Sequence, residues 1–419
     1  MSGRSSLSIA LFALCCACRS QPPESTGQPG PAVPSAPATS ASTAAPVASA
    51  APDAAAPDAS AAEAAEPPLE GAAFPEALSL VYRIAACGGS APPNYDPKVI
   101  EAHCGMLKGA YAEYTREWLD VARPFLAKLR PAGLPNVVVY PFGGGDLVTA
   151  LATYPDATEI TTISLERAGD VRGILKASTP TLGRELATLR DHLAKLFLKA
   201  HSRTVNLDRG SRGAIPSEIA FTMAALVVHG YEPITIRYFD FQPDGSLRWL
   251  TEADLSGAGG KDTKDPFTHA EIRFRKPGGP VRVFRHVAYD LSDAHLKRSP
   301  ALMKHLDAKG KVSTMTKAAS HLLWDDGFST LRNWLLAHTD WMISDTTGVP
   351  PRHAKAAGFV QETYGMYVWP EPFGTVNNRD ARDFKELFKG NAPIPFRYGY
   401  PDNRSHGHIV VTKRAAKAP

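Results

Sequence analysis

Cysteine is scarce in this 419-residue sequence: there are five, and three of them lie within the first 20 residues. The other two, Cys87 and Cys104, have no second Cys or His pair at zinc-ligand spacing, so no metal site is predicted. If the chain is exported, both thiols meet an oxidising compartment, and a disulfide between them is expected. Two free buried thiols are the alternative.

Positive charge is absent from residues 21–70, which consist almost entirely of Ala, Pro, Ser, Thr and Gly and carry six acids. Such a composition cannot bury enough apolar surface to fold, so residues 19–70 are predicted to form a disordered linker. The chain carries +4, residues 1–20 carry +2 and residues 21–70 carry −6, which leaves +8 for residues 71–419. This excess is spread out without a dense Lys/Arg run, and nucleic acid is therefore not predicted as a partner.

Long apolar runs are absent too, except for a short one near the start. Arg4 precedes the run Leu7–Leu14, which is followed by small residues and cysteines. This pattern is typical of a secretory signal and is too short for a membrane-spanning helix. A small residue before Cys18 favours a lipoprotein signal over residues 1–18 that ends in a lipidated Cys18, with Cys16 as the second choice. We therefore expect a lipid-anchored protein of the cell envelope, facing the periplasm or the exterior; an ordinary cleaved signal is the alternative.

Hydrophobic periodicity in residues 71–419 predicts a single large α/β domain with a Rossmann-like mixed sheet and helices on both faces. The predicted strands are Asn136–Phe142, Glu159–Leu165, Ile234–Phe241, Glu271–Lys276, Val281–Leu291, Trp341–Asp345, Gly365–Trp369 and His408–Arg414. The predicted helices are Tyr95–Leu129 (one or two helices), Asp146–Tyr154, Thr181–Ala200, Ile215–His229, Ala294–Leu306, Ser313–Trp324 and Phe328–His338.

The stretch VVVYPFGGGDLVTALATYPDATEITTISLE, Val137–Glu166, has the order strand, glycine loop, helix, strand and acid. Gly143 and Gly145 would let the backbone approach a cofactor, and the helix N-terminus would face it. Glu166 lies 21 residues after Gly145, where an acid typically holds ribose hydroxyls. Asp146 is a further candidate contact, although capping of the following helix would explain it alone.

The same stretch resembles the class I, S-adenosylmethionine-dependent methyltransferases. That resemblance implies a Rossmann-like fold and a nucleoside-type cofactor held by the glycine loop and Glu166. The sequence departs from the pattern at Leu147 and Val148, where glycine-rich cofactor motifs have glycine. The methyl donor is also made and kept in the cytoplasm, whereas the signal directs this domain elsewhere. The stretch predicts the fold more firmly than it identifies a cofactor, whose identity stays open.

A second cluster of motifs occupies the C-terminal half. It includes TMTKAASHLLW (Thr314–Trp324) and ISDTTGVPPRH (Ile343–His353). Together with YPFGGGD, these segments resemble a group of bacterial proteins of unknown activity, often lipoproteins, in which the equivalents read approximately YPFSGPD, LKAASYL and DDSGIP. Here Gly143 and Gly145 stand in place of Ser and Pro, and Thr346-Thr347 in place of an acid and Ser. The resemblance implies candidate residues but no activity.

Four residues of this half are candidates for catalysis. Lys317 and Ser320 are three residues apart, on one face of the predicted helix, and a Ser-Lys pair can act as nucleophile and base if the lysine is desolvated. The alternative is a Lys317 that extends to solvent or pairs with a carboxylate. Asp345 ends a predicted strand, where ligand-facing acids gather in α/β sheets, although Asp is equally common at the start of a turn. Arg352 could bind a carboxylate or phosphate in bidentate fashion, or tie a loop to the core.

Three functions remain open from the sequence. The first is an anchored envelope protein whose domain binds a small-molecule ligand at the strand ends. The second is a methyltransferase-like transferase that uses the glycine loop and Glu166. The third is a hydrolase acting on an envelope substrate, built on Asp345, Lys317 and Ser320. No G-x-S-x-G elbow, H-E-x-x-H motif or Walker loop occurs, so the sequence does not decide whether the chain is an enzyme.

Overall fold

One mixed β-sheet runs through the part of the chain that the structure describes. The computed structural model describes residues 69–199, 213–256, 265–368, 378–400 and 407–415. The strands are β1 (Val137–Pro141), β2 (Glu159–Ser164), β3 (Glu232–Phe241), β4 (Leu247–Trp249), β5 (His269–Arg275), β6 (Arg282–Ala288), β7 (Ser313–Thr316), β8 (Trp341–Ser344), β9 (Phe359–Gly365) and β10 (His408–Arg414). Their order across the sheet is β4-β3-β5-β6-β2-β1-β7-β8-β10-β9.

The middle of the sheet is parallel and its two sides are antiparallel. Strands β6, β2, β1, β7 and β8 run in one direction. On one side, β3, β4 and β5 form an antiparallel extension next to β6. On the other side, β10 runs antiparallel to both β8 and β9, so β9 has the direction of β8. The fold is therefore the predicted mixed α/β sheet.

Helices pack on both faces of this sheet. They are α1 (Pro75–Leu80), α2 (Pro97–Tyr114), α3 (Asp120–Leu129), α4 (Leu147–Thr153), α5 (Thr179–Lys199), α6 (Ser217–His229), α7 (Glu252–Ser256), α8 (Asp293–Arg298), α9 (Ala301–Asp307), α10 (Ser329–His338), α11 (Pro351–Ala356) and α12 (Asn378–Leu387). The central strand β1 shows why both faces are covered. Val138 and Tyr140 enter the core formed with α1–α6, and Val139 enters the opposite core formed with α8–α10. A run of apolar β-formers buried on both sides is what a central parallel strand requires.

Three predicted elements differ from the structure. Ser313–Trp324 is not a helix: Ser313–Thr316 is strand β7 between β1 and β8, and Ala318–Trp324 forms 3₁₀ turns. Burial between two parallel strands overrides the helical spacing of this polar segment. The predicted helix Ala294–Leu306 is broken into α8 and α9 at Pro300, which cannot continue the backbone hydrogen bonds of a helix. The predicted strand Gly365–Trp369 is also wrong over its described residues, 365–368, because β9 ends at Gly365 and no strand follows it there.

Some predictions fall outside the described residues. These are the signal over residues 1–18, its Cys18 and Cys16, and all but the last two residues of the 19–70 linker. Among the helices that are described, none combines the length and the apolar character needed to cross a membrane.

The predicted disulfide is present, between Cys87 and Cys104. It joins the segment after α1 to α2 and closes a loop of 17 residues. A loop of that size corresponds to about 3 kcal/mol of lost unfolded-state entropy.

We therefore expect the free energy of unfolding of a Cys87→Ala/Cys104→Ala variant, measured with guanidinium, to be about 2–4 kcal/mol lower than that of the wild type. A reductant should lower the stability of the wild-type chain and leave the variant unchanged; equal stability of the two proteins under oxidising conditions would contradict this.

Candidate functional site

A cavity of about 180 Å³ opens at the carboxyl ends of the central parallel strands. Its walls include Gly143 and Gly144 after β1, Glu166 after β2, Asp290 after β6 and Lys317 after β7. We call it the strand-end cavity. In open α/β sheets, ligands bind in the crevice outside the carboxyl ends of the strands, where the strand order reverses. From β1, the strand order continues to β2 and β6 on one side and to β7 and β8 on the other. The order therefore reverses at β1, and the strand-end cavity lies at this reversal.

The glycines between β1 and α4 are required by backbone conformation at one position and by packing at the other two. Gly144 has a φ of +46°, which favours glycine. A Cβ on Gly143 would lie 2.7 Å from the ring of Tyr140, and one on Gly145 would lie 2.7 Å from the ring of Phe221. The missing side chains of Gly143 and Gly145 therefore face the core, and Gly143 and Gly144 line the strand-end cavity with backbone.

Asp146 caps α4, as predicted, and its carboxylate is already occupied. One oxygen accepts hydrogen bonds from Thr149, at 3.4 Å from the amide and 2.6 Å from the hydroxyl. The other accepts from the Tyr140 hydroxyl at 2.9 Å and lies 2.5 Å from the amine of Lys317. Burial, followed by the charge of Asp146, raises the pKa of Tyr140 well above its ordinary value, which keeps the phenol protonated as a donor. Asp146 therefore holds the loop together, and its oxygens have little capacity left for a ligand.

Lys317 follows β7 and closes one side of the strand-end cavity. Besides its ion pair with Asp146, its amine donates to the Thr149 hydroxyl at 3.1 Å and lies 5.9 Å from the centre of the Tyr398 ring. Its side chain is only 5% exposed. Pairing with a carboxylate, rather than with a nucleophile, is the arrangement that the structure gives this lysine.

The prediction that Lys317 and Ser320 share one face of a helix is wrong. Lys317 has an extended backbone, and Ser320 lies in the following 3₁₀ segment. The Ser320 hydroxyl is fully buried and lies 2.6 Å from the Thr347 hydroxyl. The two side chains thus enter separate polar clusters, and the catalytic roles assigned to them remain predictions without a shared geometry.

Asp345, at the end of β8, is a fully buried acceptor for four donors. One oxygen accepts from the amides of Ala318 and Tyr400, at 3.0 and 2.8 Å. The other accepts from the amide and the hydroxyl of Thr347, at 2.9 and 2.5 Å. Ala318 has a φ of +60°, an uncommon backbone state for a residue with a side chain. The carboxylate thus fixes the turn that carries Lys317 into the strand-end cavity.

Arg352 lies elsewhere in the fold. Its guanidinium, on α11, pairs with Asp380 on α12 at 3.0 Å, and Asp380 is fully buried. It does not line the strand-end cavity. The structure favours the second reading of Arg352, in which it joins one segment to another.

Glu166 is the predicted site residue whose carboxylate keeps the most capacity for a ligand. It is 4% exposed and lines the strand-end cavity. Within the described part of the chain, the donor to its carboxylate is the amide of Leu165, at 3.1 Å. A carboxylate can accept about four hydrogen bonds, so several acceptor positions remain for hydroxyl groups of a ligand.

Glu218 is a further buried acid near this site that the sequence motifs do not predict. It is 2% exposed in the first turn of α6, and its Oε2 lies 3.3 Å from the point that a Cβ on Gly145 would occupy. The same oxygen lies 3.7 Å from Nδ1 of His286 on β6. Burial, followed by the charge of Glu166, raises the pKa of Glu218 well above its ordinary value. The available signal was one acid in an otherwise uncharged helix, SEIAFTMAALVVH.

Comparisons with protein families, with characterised proteins and with solved structures gave no match to this chain.

Proposed function

We propose that this chain is an envelope protein, anchored through Cys18, whose domain binds a small nucleoside-type ligand in the strand-end cavity. The observation that carries the proposal is Glu166: a buried carboxylate with free acceptor capacity, placed after β2 in a crevice that α/β sheets use for ligands. An acid in this position typically accepts hydrogen bonds from ribose hydroxyls.

The rest of the cavity supports a ligand with an apolar ring and no phosphate. Phe142, Tyr289, Leu291 and Phe328 supply apolar walls, which suit a flat base. Among the described lining residues, Lys317 is the cation, and Asp146 already neutralises it. The acids Glu166 and Asp290 then leave an excess of negative charge, which favours neutral or cationic ligands over nucleotides.

We expect adenosine to raise the melting temperature of the full-length chain, and Glu166→Gln to reduce its affinity by about 10–100-fold. That loss corresponds to hydrogen bonds to a charged acceptor, about 1.5–3 kcal/mol. At about 100 times its dissociation constant, a ligand stabilises the wild-type fold by about 2.7 kcal/mol, which a thermal-shift assay detects.

Two controls make this test specific. 2′-Deoxyadenosine lacks one of the hydroxyls that Glu166 would hold, so it should bind the wild type more weakly than adenosine does. Its affinities for the wild type and for Glu166→Gln should also differ less. Glu101→Gln changes an exposed carboxylate on α2 and should leave binding unchanged. Absence of a shift with every nucleoside, or equal binding to the Glu166→Gln variant, would refute the proposal.

Strand order favours a methyltransferase-like transferase as the second candidate. The series β6-β2-β1-β7-β8-β10-β9, in which the last described strand, β10, runs antiparallel between two parallel strands, resembles the sheet of class I methyltransferases. Fold alone does not imply function. A thermal shift with S-adenosylmethionine and with its demethylated product would support this candidate, and binding of adenosine without either would support a simple ligand-binding role.

A further inference from the structure

Glu218 is an unusual residue for its place in the fold. Helix α6 is buried along most of its length, and Glu218 is its single acid. Neither oxygen of this carboxyl group has a hydrogen-bond partner in the described part of the chain. A buried, ionised and unpartnered carboxylate is strongly destabilising, so such a group ordinarily holds a proton or meets a compensating charge.

The carboxyl of Glu218 lies one layer of backbone away from the strand-end cavity. Gly145 lies between Gly144 and Asp146, which both line the cavity, and Glu218 Oε2 is 3.3 Å from the position of a Cβ on Gly145. Because Gly144, Gly145 and Asp146 are buried, a charge in the cavity acts on Glu218 with little screening by solvent.

The groups that face Glu218 explain why its charge is sensitive to that cavity. From the end of β2 comes Glu166, whose negative charge opposes ionisation of Glu218. From β6 comes His286, whose Nδ1 also lacks a hydrogen-bond partner among the described residues. The loop after β1 presents the backbone of Gly145, and the Cβ position of Gly145 also lies 2.7 Å from the ring of Phe221 on α6. No described Lys or Arg forms an ion pair with Glu218.

We infer that Glu218 selects for positively charged ligands: its carboxyl is protonated in the ligand-free protein and gives up that proton when a cation enters the strand-end cavity. The inference rests on the proposed function, because it concerns ligands of the same cavity. A cation in the cavity offsets the charge of Glu166 that opposes ionisation of Glu218, and the ionised Glu218 then adds an attraction that a neutral ligand does not gain.

The proton that Glu218 loses is released to the buffer, because no nearby group in the described part of the chain is suited to keep it. The nearby acceptor is Nδ1 of His286, because Nε2 of that ring lies 2.8 Å from the carbonyl oxygen of Glu166 and donates to it. Transfer to Nδ1 would create a second buried positive charge next to the ligand, and burial lowers the pKa of His286. Binding of a cation should therefore release a proton to the buffer.

The ligand-free state is tested without any ligand. Since the folded-state pKa of Glu218 is raised, the stability due to its proton is present at low pH and lost as pH rises from the ordinary carboxyl range through the raised value. Glu218→Gln resembles the protonated form of Glu218 at every pH. The melting temperature of the variant, relative to that of the wild type, should therefore increase as pH rises. Glu101→Gln, at an exposed acid, should run parallel to the wild type. A pH-independent difference for Glu218→Gln would overturn the inference.

A spectroscopic measurement covers the case in which Glu218→Gln does not fold. Infrared spectra of the wild type at neutral pH should contain a carbonyl band of a protonated carboxylic acid, absent from ordinary ionised Glu and Asp. The band should vanish when pH is raised far enough to ionise the group. Its absence at neutral pH would overturn the inference as surely as a flat pH profile.

The ligand-bound state is tested with two nucleosides that differ by one charge, adenosine and 5′-amino-5′-deoxyadenosine. Titration calorimetry in buffers with different heats of ionisation counts protons; at about pH 6.5 the ammonium group is fully charged. The cationic nucleoside should release a fraction of a proton and bind more tightly as pH rises, whereas adenosine should release none. Glu218→Gln should abolish the release and keep adenosine binding.

The outcomes separate this inference from the proposed function. If both nucleosides bind without a difference in proton release, the role of Glu218 is refuted and ligand binding by Glu166 stands. If neither binds, the proposed function fails and the cation selectivity fails with it, while the pH profile of the ligand-free protein still reports whether Glu218 is protonated.

Discussion

Lys317→Met is expected to lower the free energy of unfolding by about 3–5 kcal/mol, the cost of leaving one partner of a buried ion pair without the other. Among the described residues, Lys317 is the cation that contacts Asp146, and the two side chains are only 5% and 10% exposed. Met keeps the length and the apolar stem of Lys, so the loss reports the charge rather than the packing.

A double variant separates the ion pair from the rest of the site. Lys317→Met combined with Asp146→Asn removes both charges and should recover about half or more of the loss, because no buried charge is left unpaired. Guanidinium-induced unfolding of the wild type, the two single variants and the double variant gives the coupling energy directly.

The chain supplies a matched control for this ion pair. Lys311 pairs with Asp340 at 2.8 Å, but these side chains are 52% and 56% exposed. Lys311→Met should cost less than about 1 kcal/mol, the usual range for solvated pairs. Equal costs at Lys311 and Lys317 would mean that the Lys317–Asp146 pair is solvated in solution, and its assigned role in holding the glycine loop would be wrong.

The sequence predicted the elements whose signal is local. The run of valines before Pro141, the three glycines and the Asp146 cap all follow from backbone and side-chain preferences over a few residues, and the structure has β1, the loop and α4 at these places. The disulfide followed from cysteine scarcity and the expected compartment. The predicted position of Glu166 on the cavity wall also follows from local order, since it comes directly after β2.

What the sequence did not predict depends on contacts between distant segments. Segment 313–316 becomes a strand because β1 and β8 lie on either side of it. Lys317 and Ser320 enter different polar clusters because each side chain pairs with a residue from another segment of the chain, Asp146 for Lys317 and Thr347 for Ser320. Glu218 is important only because α6 places it under a loop some 70 residues earlier, at Gly145. None of these contacts leaves a periodic pattern in one segment.

The polar residues predicted for the candidate site therefore divide by how many hydrogen bonds they already make. Asp146 and Asp345 each accept from several donors, and Ser320 bonds to Thr347, so these groups hold the site in place. Glu166 is left with acceptor capacity on the cavity wall. Residues that position a site and residues that contact its ligand look alike in sequence, and only their remaining hydrogen-bonding capacity distinguishes them.

Asp345→Ala is expected to lower the free energy of unfolding by about 3–5 kcal/mol, because it leaves buried amide and hydroxyl donors without an acceptor. The donors are the amides of Ala318, Tyr400 and Thr347 and the Thr347 hydroxyl. Asp345→Asn should recover little, since both oxygens accept from N–H groups and an amide nitrogen in either position would face a donor.

Hydrogen exchange tells local from global effects of this change. Under native conditions, the amides of Ala318, Thr347 and Tyr400 should exchange much faster in Asp345→Ala than in the wild type, beyond the general rise due to lower stability. Asp96→Ala, which removes one amide acceptor at the start of α2, should cost about 1 kcal/mol and leave those three amides unaffected. If Asp345→Ala instead preserved both stability and protection but abolished ligand binding, Asp345 would contact the ligand. Asp345 would then be a binding residue like Glu166, and its assigned role in positioning the turn would be wrong.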